Sequence, residues 1–264
     1  HIPNVIGLDM GGTTCKGNII TDGVLPNTTE YWPAGYMAKM PIVDILEIGI
    51  GGGSIGWIDQ EGFFTVGPMS AGADPGPACY ERGGTEPTIT DANLVLGRVE
   101  NLVGGRMRLN KERAMQAIMD RIAKPLNLEP IAAACGILDI AITKMAELVR
   151  TMTMARGYDP RDYILCVFGG AGPMHGAFVA AQMGIPKVLI PPAPGTFSGL
   201  GFLCSDFRHD FVQTYLNDLS KFNLDEMERG FRRMEEKGIE TLKQEGFQKS
   251  EISLLRSLDM RYIG

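Results

Sequence analysis

Val5-Ile-Gly-Leu-Asp9-Met-Gly-Gly-Thr13-Thr14-Cys-Lys16-Gly-Asn-Ile-Ile20 is the stretch on which the reading of this 264-residue chain turns. Val5–Leu8 is a short apolar run suited to a buried strand, and Asp9 stands where that strand ends. Gly11 and Gly12 supply a tight turn, Thr13 and Thr14 supply hydroxyls, and Cys15–Ile20 leads away as a second strand. Such a tip gathers oriented N–H groups and hydroxyls, which suit phosphate oxygens. A carboxylate at the strand end suits Mg²⁺, directly or through water, or the orientation of an attacking water. An ordinary hairpin turn draws on the same residue types, so on this stretch alone both readings stay open.

Composition narrows the classes around it. With 44% hydrophobic and 21% charged residues the chain reads as an ordinary globular protein, long enough for a real core. A net charge of −6 argues against a nucleic-acid or anionic-membrane surface. No apolar stretch approaches the ~20 residues that span a bilayer, and His1-Ile2-Pro3-Asn4 does not read as a signal peptide. The five cysteines are scattered and never spaced as CxxC, which points to a reducing, cytoplasmic setting. The lack of an initiator Met suggests a fragment or a processed subunit.

Outward from the hairpin, Ile42–Ile50 reads as one buried strand running into Gly51-Gly52-Gly53-Ser54, with Ile55–Ile58 as the next strand. Three consecutive glycines mark either a ligand-contacting turn or a flexible hairpin. Gly67–Pro87 holds five glycines and four prolines and is expected to be an ordered irregular loop. Thr90/Asp91 is the expected N-cap of a short helix, and Asn110 that of a second one stopped by Pro125. Ile131, Cys135, Leu138, Ile142, Met145, Val149 and Met152 recur at spacings of 4 and 3, one stripe of a long helix. Ile164–Phe168, then Gly169-Gly170-Ala171-Gly172-Pro173, then a small-residue helix to Met183 make a strand–glycine turn–helix unit. Its glycine spacing is not that of a dinucleotide fold. The chain is divided into a domain over 1–205, carrying the 67–87 loop, and a charged helix-strand segment over 206–264 that begins a further, truncated domain, with Leu254–Tyr262 as the strand.

The order of these units resembles the second half of the actin, sugar-kinase and chaperone ATPase fold: an α/β, actin/hexokinase-like architecture with a ribonuclease-H-like mixed sheet and flanking helices. A closer resemblance covers essentially the whole chain. Asp9–Thr14, Gly51–Ile55, Ser70-Ala-Gly-Ala-Asp-Pro-Gly-Pro-Ala-Cys-Tyr80, Thr90–Gly97, Arg156–Arg161, Phe168–Pro173, Pro194–Ser198 and Asp206–Asp210 are similar to the motifs of the hydantoinase A / oxoprolinase family.

That resemblance implies ATP-dependent chemistry on amide or ketone carbonyls. The implied reaction is hydrolysis of a cyclic amide (hydantoin, N-methylhydantoin or 5-oxoproline) through carbonyl phosphorylation. The alternatives are a subunit of an acetone/acetophenone-type carboxylase, or a catalytically idle nucleotide-binding scaffold. Carried over by position, Asp9, Thr13 and Thr14 take catalytic roles. Gly11, Gly12, Lys16, Gly51, Gly52, Gly53, Ser54, Gly169, Gly170, Gly172 and Pro173 take nucleotide-binding ones. Asp74, Cys79, Asp91 and His175 form a candidate metal constellation, since thiolate, imidazole and carboxylate suit Zn²⁺ or Mn²⁺. ATP and Mg²⁺ are the implied cofactors. A hydantoinase B-type subunit or domain, the family's N-terminal half and a small carbonyl substrate are the implied partners, with no nucleic acid and no membrane. Ala155 departs from the family pattern, which commonly has an acidic residue before Arg156-Gly157. Without the first nucleotide-binding half, the chain alone is expected not to turn over ATP.

Overall fold

A computed structural model describes residues 2–31, 36–260 and 262. The chain forms two compact units, one up to Cys204 and one from Ser205. The first opens with β1 (Val5–Met10) and β2 (Cys15–Ile20), an antiparallel hairpin pairing Val5 with Ile20 and Met10 with Cys15. β3 (Asn27–Tyr31) and β4 (Ala38–Val43) pair in a small sheet of their own, and β5 (Leu46–Ile48) returns to run antiparallel to β2. The apolar run Ile42–Ile50 is therefore two strands in two sheets, not one. It breaks at Asp44 and Ile45, where the Asp44 carboxylate is ion-paired to Arg156.

β6 (Ser54–Ile58) and β7 (Phe64–Ser70) make a second hairpin. β7 runs through Pro68, inside a segment expected to be irregular. A two-stranded ribbon leaves one edge unpaired, and a residue with no N–H is tolerated there. Next come α1 (Ile89–Val95), the short pair β8 (Asn101–Leu102) and β9 (Met107–Arg108), α2 (Lys111–Ile118), α3 (Lys124–Leu126) and α4 (Pro130–Met152). Two helix signals act differently from the expectation. Thr88, not Thr90 or Asp91, caps α1, with Asp91 closing a capping box from the third helical position. Pro125 does not stop the second helix. A π-helical turn over Met119–Ala123 leads into α3, and Asn127 ends it in a left-handed conformation. The unit closes with β10 (Ile164–Phe168), α5 (Gly176–Met183), β11 (Val188–Leu189) and α6 (Phe197–Leu203).

The main sheet has the order β11-β10-β1-β2-β5, parallel among β11, β10 and β1 and antiparallel from β1 to β5. Ile6, Leu8 and Met10 lie on one face with Cys15, Gly17 and Ile19, and all six residues are buried. α4 covers that face, its Leu148 and Met152 reaching the backbone at Gly17. The methionine stripe on α4 is core: Met145 and Met152 are fully buried. On the opposite face Asp9 is half-buried and Lys16 exposed. The architecture is thus α/β, a mixed sheet flanked by helices.

The second unit is built on α7 (Leu224–Gln244), capped by the Asn223 side chain. Arg256 clamps this helix by ion pairs to Glu228 and Glu235 while its guanidinium lies 5.1 Å from the Phe231 ring centre. The strand expected over Leu254–Tyr262 does not form. Residues 252–260 have no regular structure, and 261, 263 and 264 lie outside the described residues. Alternating apolar residues make a strand only where a neighbouring strand accepts their backbone hydrogen bonds. This segment is held by a side chain instead.

Candidate functional site

Pairing β1 with β10 in parallel puts Asp9 beside Phe168, so both strands end at one level and the β1–β2 turn rises next to the Gly169 turn. In open α/β sheets, ligands collect at the carboxyl ends of parallel strands. Gly11 N donates to Thr14 O at 3.0 Å and closes the turn. Gly12 and Thr13 are exposed, and a Cβ added at Gly11 or Gly12 meets nothing within 4 Å. The turn therefore presents backbone and hydroxyls to open space.

Gly169 has a φ of +82° and a closer constraint: a Cβ there would lie under 3.0 Å from Asp9 Oδ1 and from the Met10 carbonyl. Only glycine brings the two turns this close. Ala171 N donates to Met10 O at 2.9 Å, and Gly169 N donates to Pro194 O at 2.9 Å. The second of these bonds draws in the Pro194–Ser198 loop, where Phe197 stacks edge-on against Phe168 with ring centres 5.2 Å apart. Ser198 Oγ then donates to Asp9 Oδ2 at 3.0 Å. Gly170 is exposed and open, whereas Gly172 is buried under Val167 and the β1 backbone and Pro173 is half-buried. Lys16, directly across from Asp9, stands 3.9 Å from Glu47 of β5.

Gly51, Gly52, Gly53 and Ser54 lie behind the turn rather than on its open side. All four are buried. Gly52 N donates to Gly11 O at 3.0 Å and Gly53 N to Gly12 O at 2.6 Å, while Ser54 Oγ accepts from Gly51 N at 2.8 Å. Thr90 donates to Gly52 O from both its N and its Oγ1, each at 2.8 Å. Its glycines let one backbone lie against another, so in this structure the run buttresses the tip from behind. Ser70 Oγ, 3.4 Å from Thr13 Oγ1, adds a hydroxyl at the tip; Ser70 opens the Ser70–Tyr80 motif, but nothing local to that motif placed it beside Thr13.

The candidate metal set does not assemble. The Asp91 carboxylate is spent on α1 capping and the neighbouring turn, accepting from Thr88 N, Thr88 Oγ1 and Cys79 N at 2.7–2.9 Å. Burial and the adjacent Asp91 charge push the Cys79 thiol well above its ordinary range. Asp74 lies exposed on the loop. His175 is fully buried with Nε2 3.4 Å from Asn93 Nδ2. Among the described residues no group of three or more His, Cys, Asp or Glu side chains is placed to hold a metal ion. A cavity of about 510 Å³ lies elsewhere, between β5 and α4, lined in part by Leu46, Ile48, Pro68, Lys144 and Leu148.

Burial first, and the Arg98 guanidinium second, hold the His175 pKa down at about 4 against an ordinary 6.5. The unfolded chain thus binds the extra proton between those values, so stability is full above pH 6.5 and falls as pH drops toward 4. We expect this group to cost about 2 kcal/mol of unfolding free energy between pH 7 and pH 5. Urea midpoints should show that loss in the native protein and lack it in His175→Leu; equal slopes in both proteins would refute the assignment.

Comparison with known proteins bears on this geometry. The hydantoinase/oxoprolinase family model matches residues 1–211. Caprolactamase subunit alpha of Pseudomonas jessenii is 38% identical over 100% of this chain and 38% of its own length. The acetophenone carboxylase gamma subunit of Aromatoleum aromaticum is 36% identical over 99% of this chain and 37% of its own. The nucleotide-free structure of acetone carboxylase, described as ATP-dependent, superposes with a TM-score of 0.81 at 26% identity, covering 95% of this chain and 37% of that one. The chain thus spans under two fifths of the length of these relatives. Its fold is that of one half of an actin/hexokinase-like ATPase. Among the described residues no helix is long and apolar enough to cross a membrane.

Proposed function

This chain belongs to the hydantoinase/oxoprolinase family, and from that premise we propose that it forms one wall of the nucleotide site in an ATP-dependent enzyme that opens cyclic amides. The observation that carries this reading is the Asp9 carboxylate. It stands at the end of a parallel strand, between the Gly169 turn and the Ser198 hydroxyl, beside an exposed Gly12-Thr13 turn.

The residues fit a polyphosphate. The open side of Gly11, Gly12 and Gly170 leaves room for close approach, and the Thr13 and Thr14 hydroxyls supply donors to phosphate oxygens. They also fit Mg²⁺: the half-exposed Asp9 carboxylate is a hard oxygen ligand, alone or through water. ATP bound there would supply an activated phosphoryl group, which turns a carbonyl or enol oxygen into a leaving group. Asp9 would hold Mg²⁺ or a water beside that group, and the absence of a side chain at Gly169 leaves room for its carboxylate. The opposite wall comes from the family's N-terminal half, and a B-type subunit or domain completes the enzyme. The five unpaired cysteines support a cytoplasmic setting.

Carboxylation of a ketone is the second reading, favoured by the similarity to the acetophenone carboxylase subunit and the acetone carboxylase fold. One experiment separates the two. ATP hydrolysis by the full-length protein with its partner is measured over 5-oxoproline, hydantoins, caprolactam, acetone and acetophenone, with and without bicarbonate. Stimulation by a cyclic amide without bicarbonate supports the hydrolase, and ketone stimulation that requires bicarbonate supports the carboxylase. No stimulation by any carbonyl compound overturns both.

A further inference from the structure

We propose that Ser198 is a positioning residue for Asp9, and that the Pro194–Ser198 loop is a third element of the site besides the hairpin tip and the Gly169 turn. The inference rests on the nucleotide reading of Asp9 given above. An aspartate at a half-exposed strand end has two rotatable bonds, and its carboxylate is free to choose among rotamers unless something fixes it. Here one oxygen is crowded by backbone and the other is hydrogen-bonded. Oδ1 lies against the Gly169 backbone, at a place no side chain could share, and Oδ2 accepts the Ser198 hydroxyl at 3.0 Å.

The hydroxyl is itself held in place. Gly169 N anchors Pro194 O, and the Phe168–Phe197 stack fixes the start of α6, so Ser198 moves with the turn that Asp9 faces. The carboxylate is therefore oriented by a residue 189 positions away that is tied to the same glycine turn. Because Ser198 is exposed, its contribution to folding is small and its contribution to orientation is separable from it. A misoriented catalytic group costs up to about 10²-fold in rate.

The test uses the full-length protein with its partner and the carbonyl substrate that best stimulates ATP turnover. Ser198→Ala is expected to lower kcat by about 10–100-fold with KM for ATP within about threefold and an unchanged melting temperature, and Ser198→Thr to restore kcat. In an Asp9→Asn background, Ser198→Ala should cost nothing further, because the carboxylate it orients is gone. A Ser198→Ala protein with native kcat, an effect confined to KM, or an equal loss in the Asp9→Asn background would overturn the positioning role while leaving the nucleotide reading intact. Native turnover in Asp9→Asn alone would overturn that reading and this inference with it.

Discussion

Asp9→Asn is expected to lower ATP turnover by the complete enzyme by about 10²–10⁴-fold while changing nucleotide affinity by less than about tenfold. The substitution is nearly isosteric. An amide oxygen still accepts from Ser198, so the 3.0 Å contact and the packing against Gly169 survive. What is lost is the negative charge that would hold Mg²⁺ or polarise a water, and that charge matters more in the reacting state than in the bound one. Steady-state hydrolysis with titration of a fluorescent nucleotide reads both quantities. A parallel loss of affinity and turnover would make Asp9 a binding group only.

The second large effect contrasts two glycines a few ångströms apart. A Cβ at Gly51 would fall under 3.0 Å from backbone atoms of Gly12 and Thr13, and backbone cannot step aside as a flexible side chain does. Gly51→Ala should therefore cost about 1–3 kcal/mol of stability and abolish nucleotide binding by displacing the tip. A Cβ at Gly12 meets nothing within 4 Å, and its φ is not left-handed. Gly12→Ala should leave urea stability within about 0.5 kcal/mol of native yet weaken nucleotide binding at least about tenfold, because the methyl occupies the space a phosphate would use. If Gly12→Ala binds nucleotide normally, the open side of the turn is not where phosphate sits.

Local pattern carried much of the fold. The Val5–Ile20 hairpin, the long helix with its stripe buried from Leu138 to Met152 (Ile131 and Cys135 of the expected stripe are exposed), and the strand–glycine turn–helix unit from Ile164 are visible because burial period and turn chemistry are properties of neighbouring residues. What stayed hidden depends on pairing across the chain. Nothing in the unbroken apolar run Ile42–Ile50 shows that its halves join different sheets. A GGGS run reads alike whether its glycines admit a ligand or another backbone, and its hydrogen bonds to Gly11 and Gly12 join positions too far apart in the chain for local pattern to show. Likewise Asp91 and Cys79 have the chemistry of metal ligands, but the Thr88 capping box had first claim on the carboxylate. In the Asp9–Ser198 bond the motif residue was visible and the partnership was not, since no spacing rule links positions so far apart.

The most direct measurement of the central claim is amide hydrogen exchange on the full-length protein with its partner, with and without a non-hydrolysable ATP analogue. Bound nucleotide should slow exchange at residues 10–14 and 169–173, with smaller effects at 194–198. Unchanged exchange at the hairpin tip and the Gly169 turn, or protection confined to the cavity beside Leu46, Ile48 and Lys144, would contradict the account.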